Sequence, residues 1–273
     1  MERNLAIIQI EGLLDTFRDA REYGSILNVD EYDWSKLEQF IEDLDTGGQI
    51  TFESVGNEET QASLRKLIRV AKNLGQKYDA VVTNPPYLGS SRFSPALDKY
   101  VKEKYPEVKT DLSMVMYKHA LQDLCKYKGY VSFITTSSWM FLSSFEKLRT
   151  YVMEKYDFCS LVDFGTELFE GKVGHNPIVA WVNQKINTDS IMTGIRLVEF
   201  CYSRRDEKEK EFYNIKNYYN TKPSDFSKIP GRPVAYWVSN TIIKSFETDK
   251  MIKDYSVASV GIQTGDNEKF LHL

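Results

Sequence analysis

Apolar residues recur at helical spacing in the first part of the chain and then change to short, nearly continuous apolar runs. The helical spacing predicts amphipathic helices over residues 5–17, 34–44 and 58–74. Residues 25–29, which follow a glycine, are predicted to form a short strand between the first two helices. The polar sequence DTGG at 45–48 and Gly75 are predicted to end the second and third helices.

Strand and helix patterns alternate from residue 78 onwards. Apolar runs predict strands at 78–83, 129–136, 160–164 and 177–182, and helical spacing predicts helices at 112–124 and 145–155. The charged residues 98–109 indicate a solvated helix and turn, residues 187–233 look irregular, and 237–246 fit a short helix. This alternation predicts the α/β class, with a mostly parallel sheet covered by helices.

Composition narrows the possible partners and locations. The 273 residues are 42% apolar and 13% aromatic, which favours a folded core, and the net charge of −4 gives no general attraction for nucleic acid. No apolar run approaches the roughly 18 residues of a membrane helix, and the start has no signal-peptide layout. We therefore expect a cytoplasmic protein without a membrane partner.

The cysteines and histidines do not indicate a metal site. Cys125, Cys159 and Cys201 are few and widely spaced, which is typical of reduced thiols in the cytoplasm. The three histidines have no spacing that suggests zinc ligation. We expect no bound metal.

One short stretch carries the candidate chemistry. Residues 78–89 read YDAVVTNPPYLG, so Asn84 stands where the predicted strand ends. Ligands of open α/β sheets bind outside the carboxyl ends of the strands. A rigid strand-to-loop turn is the structural alternative for the two prolines, because each proline fixes φ near −65°.

The tetrapeptide Asn-Pro-Pro-Tyr offers two acceptors beside an aromatic face. Pro86 has no N–H, so the Pro85 carbonyl has no neighbouring donor, and the amide oxygen of Asn84 is a second acceptor. Tyr87 adds a flat ring. This set suits an exocyclic amino group on a planar heterocycle, and a base in a duplex reaches such a pocket only when it is flipped out.

The sequence VVTNPPYLG resembles motif IV of the amino-group DNA methyltransferases, which transfer methyl from S-adenosylmethionine to adenine N6. The sequence resembles the BREX-type PglX family in particular. Three later segments extend the resemblance: KTDLSMVMYKHAL (109–121), KGYVSFITTSSWMFLSSFEKLRTYVMEKY (128–156) and LVDFGTELFEGKVGHNPIVAWV (161–182). It implies a Rossmann-like class I S-adenosylmethionine-dependent methyltransferase fold. It also implies methylation of double-stranded DNA with a flipped adenine, by in-line attack of the amino nitrogen on the methyl group without a strong base.

The resemblance also implies a role for individual residues. Asn84 and the carbonyl of Pro85, which the stiff Pro86 follows, would hold the adenine amino group, and Tyr87 would stack on the base. Phe169 would approach the other face of the base, and Lys172 would line the same pocket. Core packing is the alternative for Phe169, and a solvated lysine for Lys172.

Asp111 is a candidate for the cofactor pocket, although it stands where the N-cap of the following helix is expected. A methyltransferase of this type also needs a glycine-rich turn after its first strand. Residues 1–83 contain no G-x-G after a predicted strand. We therefore expect an incomplete fold that lacks most of its cofactor site, doubtful binding of S-adenosylmethionine, and little activity of the chain alone.

Three regions are expected. Residues 1–186 would be the methyltransferase core without its cofactor-binding part, 187–235 an irregular insertion or linker, and 236–273 the start of a target-recognition region, which GIQTGDNEKFL (261–271) resembles. Partners would be duplex DNA and possible defence-system proteins or a complementing fragment. The alternatives are an amino-group methyltransferase acting on RNA or protein, and a non-catalytic interaction module of a defence complex.

Overall fold

The computed structural model describes residues 2–45, 54–170, 175–247 and 254–257. Nine α-helices and six strands lie within these ranges. The helices are α1 (Glu2–Thr16), α2 (Ala20–Tyr23), α3 (Trp34–Asp45), α4 (Ser54–Gly75), α5 (Pro95–Lys104), α6 (Leu112–His119), α7 (Glu146–Lys155), α8 (Lys208–Phe212) and α9 (Asn240–Ser245). The strands are β1 (Tyr78–Thr83), β2 (Cys125–Thr136), β3 (Asp157–Gly165), β4 (Ile178–Gln184), β5 (Met192–Arg196) and β6 (Tyr218–Thr221).

The six strands form one sheet in the order β1-β2-β4-β3-β5-β6. Strand β1 pairs parallel with β2, and β3 pairs parallel with β5. Strand β4 lies between β2 and β3 and is antiparallel to both, and β6 is antiparallel to β5. The predicted α/β class is confirmed. Four strands run in one direction, but the insertion of β4 makes the sheet mixed.

The register of the sheet brings several chain segments to one edge. Thr83 at the end of β1 is paired with Phe133, and Thr136 at the end of β2 is paired with Ile178 at the start of β4. Ile178 is also paired with Gly165 at the end of β3. The segments that leave β1, β2 and β3 therefore meet at the carboxyl edge of the sheet, beside the segment that enters β4.

Aromatic side chains fill the core between this sheet and its helices. The ring centroids of the buried Trp139 and Trp181 are 4.5 Å apart, and Tyr117 packs edge-on against Trp181 at 5.0 Å. The Tyr117 hydroxyl donates to Asn183 Oδ1 at 2.5 Å. Burial raises the pKa of Tyr117, so the hydroxyl keeps its hydrogen and remains a donor.

Helices α1, α3 and α4 bury a separate set of apolar side chains: Ala6, Leu13, Leu37, Ile41, Ile68 and Ala71. The helix predicted at 5–17 is present as α1, but its predicted apolar face is wrong, because Leu5, Ile8 and Leu14 are exposed. The strand predicted at 25–29 is wrong. Gly24–Ile26 is a 3-10 turn, and the backbone N–H of Asn28 donates to the Tyr100 hydroxyl at 3.1 Å. The apolar residues here contact the core individually, since no neighbouring strand pairs with this segment.

The prediction of irregular structure at 187–233 is also wrong for two segments, because β5 and β6 lie within it and extend the sheet. Both strands are short, and β6 reads YYNT, which has no alternation of apolar and polar residues. The division into three regions stays a prediction. The helix predicted at 112–124 is α-helical only to His119 and continues as a π-helical turn, Ala120–Leu124.

Several predictions fall outside the described residues: the turn within 46–48, Lys172 and the segment 261–271. Within the described ranges, none of the helices combines the length and apolarity that a membrane crossing requires. Over the same ranges, no group of three or more His, Cys, Asp or Glu side chains is arranged to hold a metal ion.

Candidate active site

The Asn-Pro-Pro-Tyr segment leaves the carboxyl end of β1, as the sequence predicts. Backbone hydrogen bonds fix the loop that follows: the N–H of Leu112 donates to Leu88 O at 2.9 Å, and the N–H of Ser90 donates to Thr110 O at 3.0 Å. Gly89 and Asp111 form an isolated antiparallel bridge. The loop is therefore held at both of its ends, by the sheet and by the start of α6.

The hydroxyl of Tyr87 connects the tetrapeptide to the neighbouring strand. It lies 2.9 Å from Asn84 Oδ1 and 3.2 Å from the backbone oxygen of Ile134 in β2, and both atoms are acceptors. One hydroxyl hydrogen is thus shared between two acceptors. Burial raises the pKa of Tyr87, so this hydroxyl stays neutral and keeps its hydrogen.

The side chains of the tetrapeptide differ in exposure. Asn84 and Pro86 are exposed, Pro85 is buried, and Tyr87 is half-buried. An amide oxygen has two lone pairs, so Asn84 Oδ1 retains one acceptor position while it receives the Tyr87 hydroxyl. The structure therefore brings together an exposed acceptor and a half-buried aromatic ring that is fixed at its hydroxyl end.

Asp111 is the N-cap of α6. Its Oδ1 accepts from the backbone N–H of Ser113 at 2.8 Å and from the Ser113 hydroxyl at 2.5 Å. The capping alternative is confirmed, and the cofactor role of Asp111 stays a prediction. Phe169 lies in the loop after β3 and is half-buried, and its contact with a base also stays a prediction.

A cleft of about 450 Å³ opens at the same edge of the sheet, and the sequence did not indicate it. Its walls come from the segments after β2, β3 and β5, from the residue before β4, and from Trp237. Its lining residues are Ser137, Phe141, Asp163, Gly165, Thr166, Pro177, Arg196, Val198, Cys201, Tyr202 and Trp237. The cleft was missed because Arg196 ends a strand that has no clear sequence pattern.

Asp163 is a buried carboxylate in the wall of this cleft. It accepts a hydrogen bond from the Tyr236 hydroxyl at 3.2 Å and from the backbone N–H of Gly165 at 3.3 Å. Burial raises the pKa of Asp163, although the Gly165 hydrogen bond and the nearby Arg196 act in the opposite direction. Its charge is therefore poorly solvated and already engaged by fixed donors.

Arg149 supports two of the segments that form the cleft. Its guanidinium is buried and makes five hydrogen bonds, all to backbone oxygens. The acceptors are Trp139, Leu142, Gly231 and Arg232, at 2.6 to 3.2 Å. These residues bracket Phe141 and precede Trp237, so one side chain of α7 fixes both aromatic segments against each other.

Comparison with known proteins shows the family of the chain. Residues 7–169 match the family model described as Eco57I restriction-modification methylase, which is more than half of the chain. The chain is 33% identical over 274 residues to the adenine-specific methyltransferase PglX of Lacticaseibacillus casei (strain Zhang), covering 96% of this chain and 22% of PglX. It is 34% identical over 239 residues to the adenine-specific methyltransferase BrxX of Escherichia coli O9:H4 (strain HS), covering 85% of this chain and 19% of BrxX.

The chain thus spans about a fifth of the length of these curated relatives. Among solved structures, the cryo-electron microscopy structure of a DrdV–DNA complex is 16% identical, with a TM-score of 0.44 over 66% of this chain and 20% of that chain.

Proposed function

The chain belongs to the Eco57I restriction-modification methylase family, and we propose that it forms the base-binding part of an enzyme that methylates adenine N6 in DNA. The enzyme would serve a restriction-modification or BREX-type defence system. Its substrate would be double-stranded DNA from which the target adenine is extruded, and its methyl donor S-adenosylmethionine.

The observation that carries this proposal is the position of Asn84 beside Tyr87 at the carboxyl end of β1. Asn84 Oδ1 is exposed and has a lone pair that can accept an N6 hydrogen, and the carbonyl of Pro85 is the expected second acceptor. Two acceptors on one amino group orient its nitrogen lone pair. Orientation of this kind is a large contribution to a displacement reaction and needs no basic residue.

Tyr87 is expected to give the base a flat surface in a fixed position. Its hydroxyl is tied to Asn84 and to Ile134, which restrains the ring. When the amino group approaches Asn84, the Tyr87 hydroxyl can turn so that it donates its hydrogen bond only to the Ile134 oxygen. Tyr87 would then remain tethered while Asn84 Oδ1 becomes available for the substrate.

The described residues do not fit a complete site for S-adenosylmethionine. A glycine-rich turn that receives the cofactor has to follow a strand, and β1 is the first strand of the described part of the chain and leads directly into Asn84. Asp111, the one candidate, uses its Oδ1 to cap α6. We therefore propose that this chain binds the base, and that it transfers little methyl without further cofactor-binding residues.

A binding experiment can test the amino-group pocket without the cofactor. Fluorescence anisotropy would compare thymine-rich single strands that carry either one adenine or one purine without the 6-amino group. The wild-type chain should bind the adenine strand about fivefold more tightly, since a hydrogen bond is worth about 1 kcal/mol. Asn84→Ala should remove the preference, and Asn73→Ala, at an exposed site on α4, should keep it. Equal binding of both strands by the wild type would contradict the proposal.

A methyl-transfer experiment tests the cofactor side. Tritium from labelled S-adenosylmethionine would be followed into plasmid DNA, with the isolated chain as enzyme. Transfer close to background is expected, because the described residues provide no glycine-rich turn. Substantial transfer that disappears in Asn84→Ala would show that a complete cofactor site exists after all.

A further inference from the structure

The cleft beside the tetrapeptide has the features of a second nucleotide site. The carboxyl ends of β1, β2, β3 and β5 lie at one edge of the sheet, so the cleft and Asn84 are both at this edge. The cleft begins at Ser137, which follows β2, the immediate neighbour of β1. It extends to Arg196 at the end of β5, four strand positions from β1, and neighbouring strands are about 4.8 Å apart. The parts of the cleft therefore lie roughly 5 to 19 Å from Asn84.

Arg196 presents donors in this cleft. Its guanidinium carbon lies 4.6 Å from the centre of the Trp237 ring, which is a cation–π contact. The nearest carboxylate oxygens, from Asp163 and Glu199, are 3.9 and 3.8 Å away, which is beyond hydrogen-bond length. A quarter of the Arg196 side chain is exposed. The ring therefore fixes the direction of the guanidinium, while its fork of N–H groups can still reach an anionic oxygen.

Neither of these two carboxylates accepts a hydrogen bond from the Arg196 guanidinium at these distances. Asp163 is engaged by the Tyr236 hydroxyl and by the Gly165 N–H. Glu199 is mostly exposed, and an exposed ion pair contributes little free energy. The oxygens of a phosphate group can accept two parallel N–H bonds from an arginine, which neither carboxylate does at these distances.

The remaining wall of the cleft is aromatic and exposed. Phe141 packs edge-on against Trp237, with ring centroids 5.8 Å apart, and 43% of its surface is open to solvent. Tyr202 is 78% exposed and has a positive φ of 55°, which is uncommon for a residue other than glycine. Exposed aromatic faces beside an arginine are the elements with which proteins bind single-stranded nucleotides.

We infer that this cleft binds a nucleotide of the strand that carries the extruded adenine, with its phosphate on Arg196 and its base or sugar against Phe141 and Tyr202. The inference rests on the proposed function and adds a second contact to the same strand. A cleft of about 450 Å³ has room for one nucleotide. This contact would keep the strand in place on one side of the base while Asn84 and Tyr87 hold the base itself.

The test measures binding of a labelled single strand of about twelve nucleotides by fluorescence anisotropy at several salt concentrations. Arg196→Gln should weaken binding about tenfold and reduce the slope of log affinity against log salt by about 0.7, the value for one phosphate on a single strand. Phe141→Ala should weaken binding by a similar factor and leave the slope unchanged. Arg69→Gln, which removes the same charge from an exposed position on α4, should change neither quantity.

Circular dichroism melting would first establish that each variant is folded. Unchanged affinity and slope in a folded Arg196→Gln variant would overturn the inference, and so would the absence of any binding by the wild-type chain. The proposed function is judged separately by the adenine preference. If Arg196→Gln keeps that preference with an unchanged slope, only the second site is wrong. If the slope falls while the wild type shows no preference, only the assignment of Asn84 is wrong.

Discussion

Replacing Arg149 should destabilise the protein more than any surface change on the same helix. Arg149 is 1% exposed, its guanidinium makes five hydrogen bonds to four backbone oxygens, and burial lowers its pKa. Arg149→Met fills a similar volume but removes the donors to the oxygens of Trp139, Gly231 and Arg232, whereas Leu142 O keeps the N–H of Phe145 at 3.1 Å. Each buried acceptor that loses its partner costs about 1–3 kcal/mol, part of which water recovers by entering the site.

We expect Arg149→Met to lower the free energy of unfolding by about 3–5 kcal/mol, a large share of the roughly 5–15 kcal/mol of a typical domain. Arg149→Lys should lose less stability than Arg149→Met, because its ammonium keeps three donors for these oxygens. It should still be less stable than the wild type, since the guanidinium has five donors. Urea denaturation followed by tryptophan fluorescence measures this change. Lys147→Met, an exposed position on the same helix, is the matched control and should stay within about 0.5 kcal/mol of the wild type.

A loss below about 1 kcal/mol in Arg149→Met would refute the reasoning. It would mean that apolar packing and the hydrogen bond from the Val234 N–H to Met140 O, at 3.0 Å, hold the segments carrying Phe141 and Trp237 together without Arg149.

Three further predictions concern buried groups of the sheet. Burial acts to raise the pKa of Asp157, but hydrogen bonds from residues 188–190 outweigh it and hold the pKa below its ordinary value. The stability that Asp157 contributes is present above about pH 3.9 and is lost as the pH falls through the lowered pKa. Asp157→Asn should therefore flatten the acid limb of a plot of unfolding free energy against pH. Asp163 behaves oppositely, because burial raises its pKa. The stability that its protonated form contributes is lost as the pH rises through that pKa. Asp163→Asn should therefore be at least as stable as the wild type at pH 7 by urea denaturation. Gly194→Ala should lower the unfolding free energy by about 1–3 kcal/mol, because the added methyl carbon would lie 2.3 Å from the ring of the buried Tyr236.

Controls and contrary results are available for each of these. Gly12→Ala in α1 adds a methyl carbon whose nearest neighbour is 3.5 Å away, so it should be neutral or stabilising, unlike Gly194→Ala. An acid limb that is unchanged in Asp157→Asn would contradict the assigned hydrogen bonds. A loss of more than about 1 kcal/mol at pH 7 in Asp163→Asn would show that its charge is well compensated.

The sequence was informative where one structural period persists over many residues. Helices α3 and α4 repeat apolar residues at helical spacing, and β1 to β4 are apolar runs bounded by polar turns, so their existence was predictable and their ends were wrong by a few residues. The segment 25–29 has the composition of a strand but no partner strand. Pairing is a property of the tertiary structure, which local composition does not contain.

The candidate site was likewise predictable from the sequence only in part. Asn84 and Tyr87 were identified because their motif is contiguous and follows a clear strand. The cleft was not identified, because Phe141, Asp163, Arg196 and Trp237 are far apart in the sequence and meet only through the order of the strands. A buried arginine such as Arg149 is likewise indistinguishable in the sequence from the exposed lysine two residues before it.

The position of β4 also constrains the order in which the chain acquires its structure during synthesis. β2 and β3 are made first, yet they are separated in the sheet by β4, which emerges from the ribosome later than both. Until residues 178–184 emerge, the facing edges of β2 and β3 lack their native partner, and any early pairing between them has to be undone. Contacts of this kind slow folding and expose strand edges in the meantime. We expect the part of the sheet that joins β2 to β3 to form only after β4 has been released, with these strand edges open to chaperones until then.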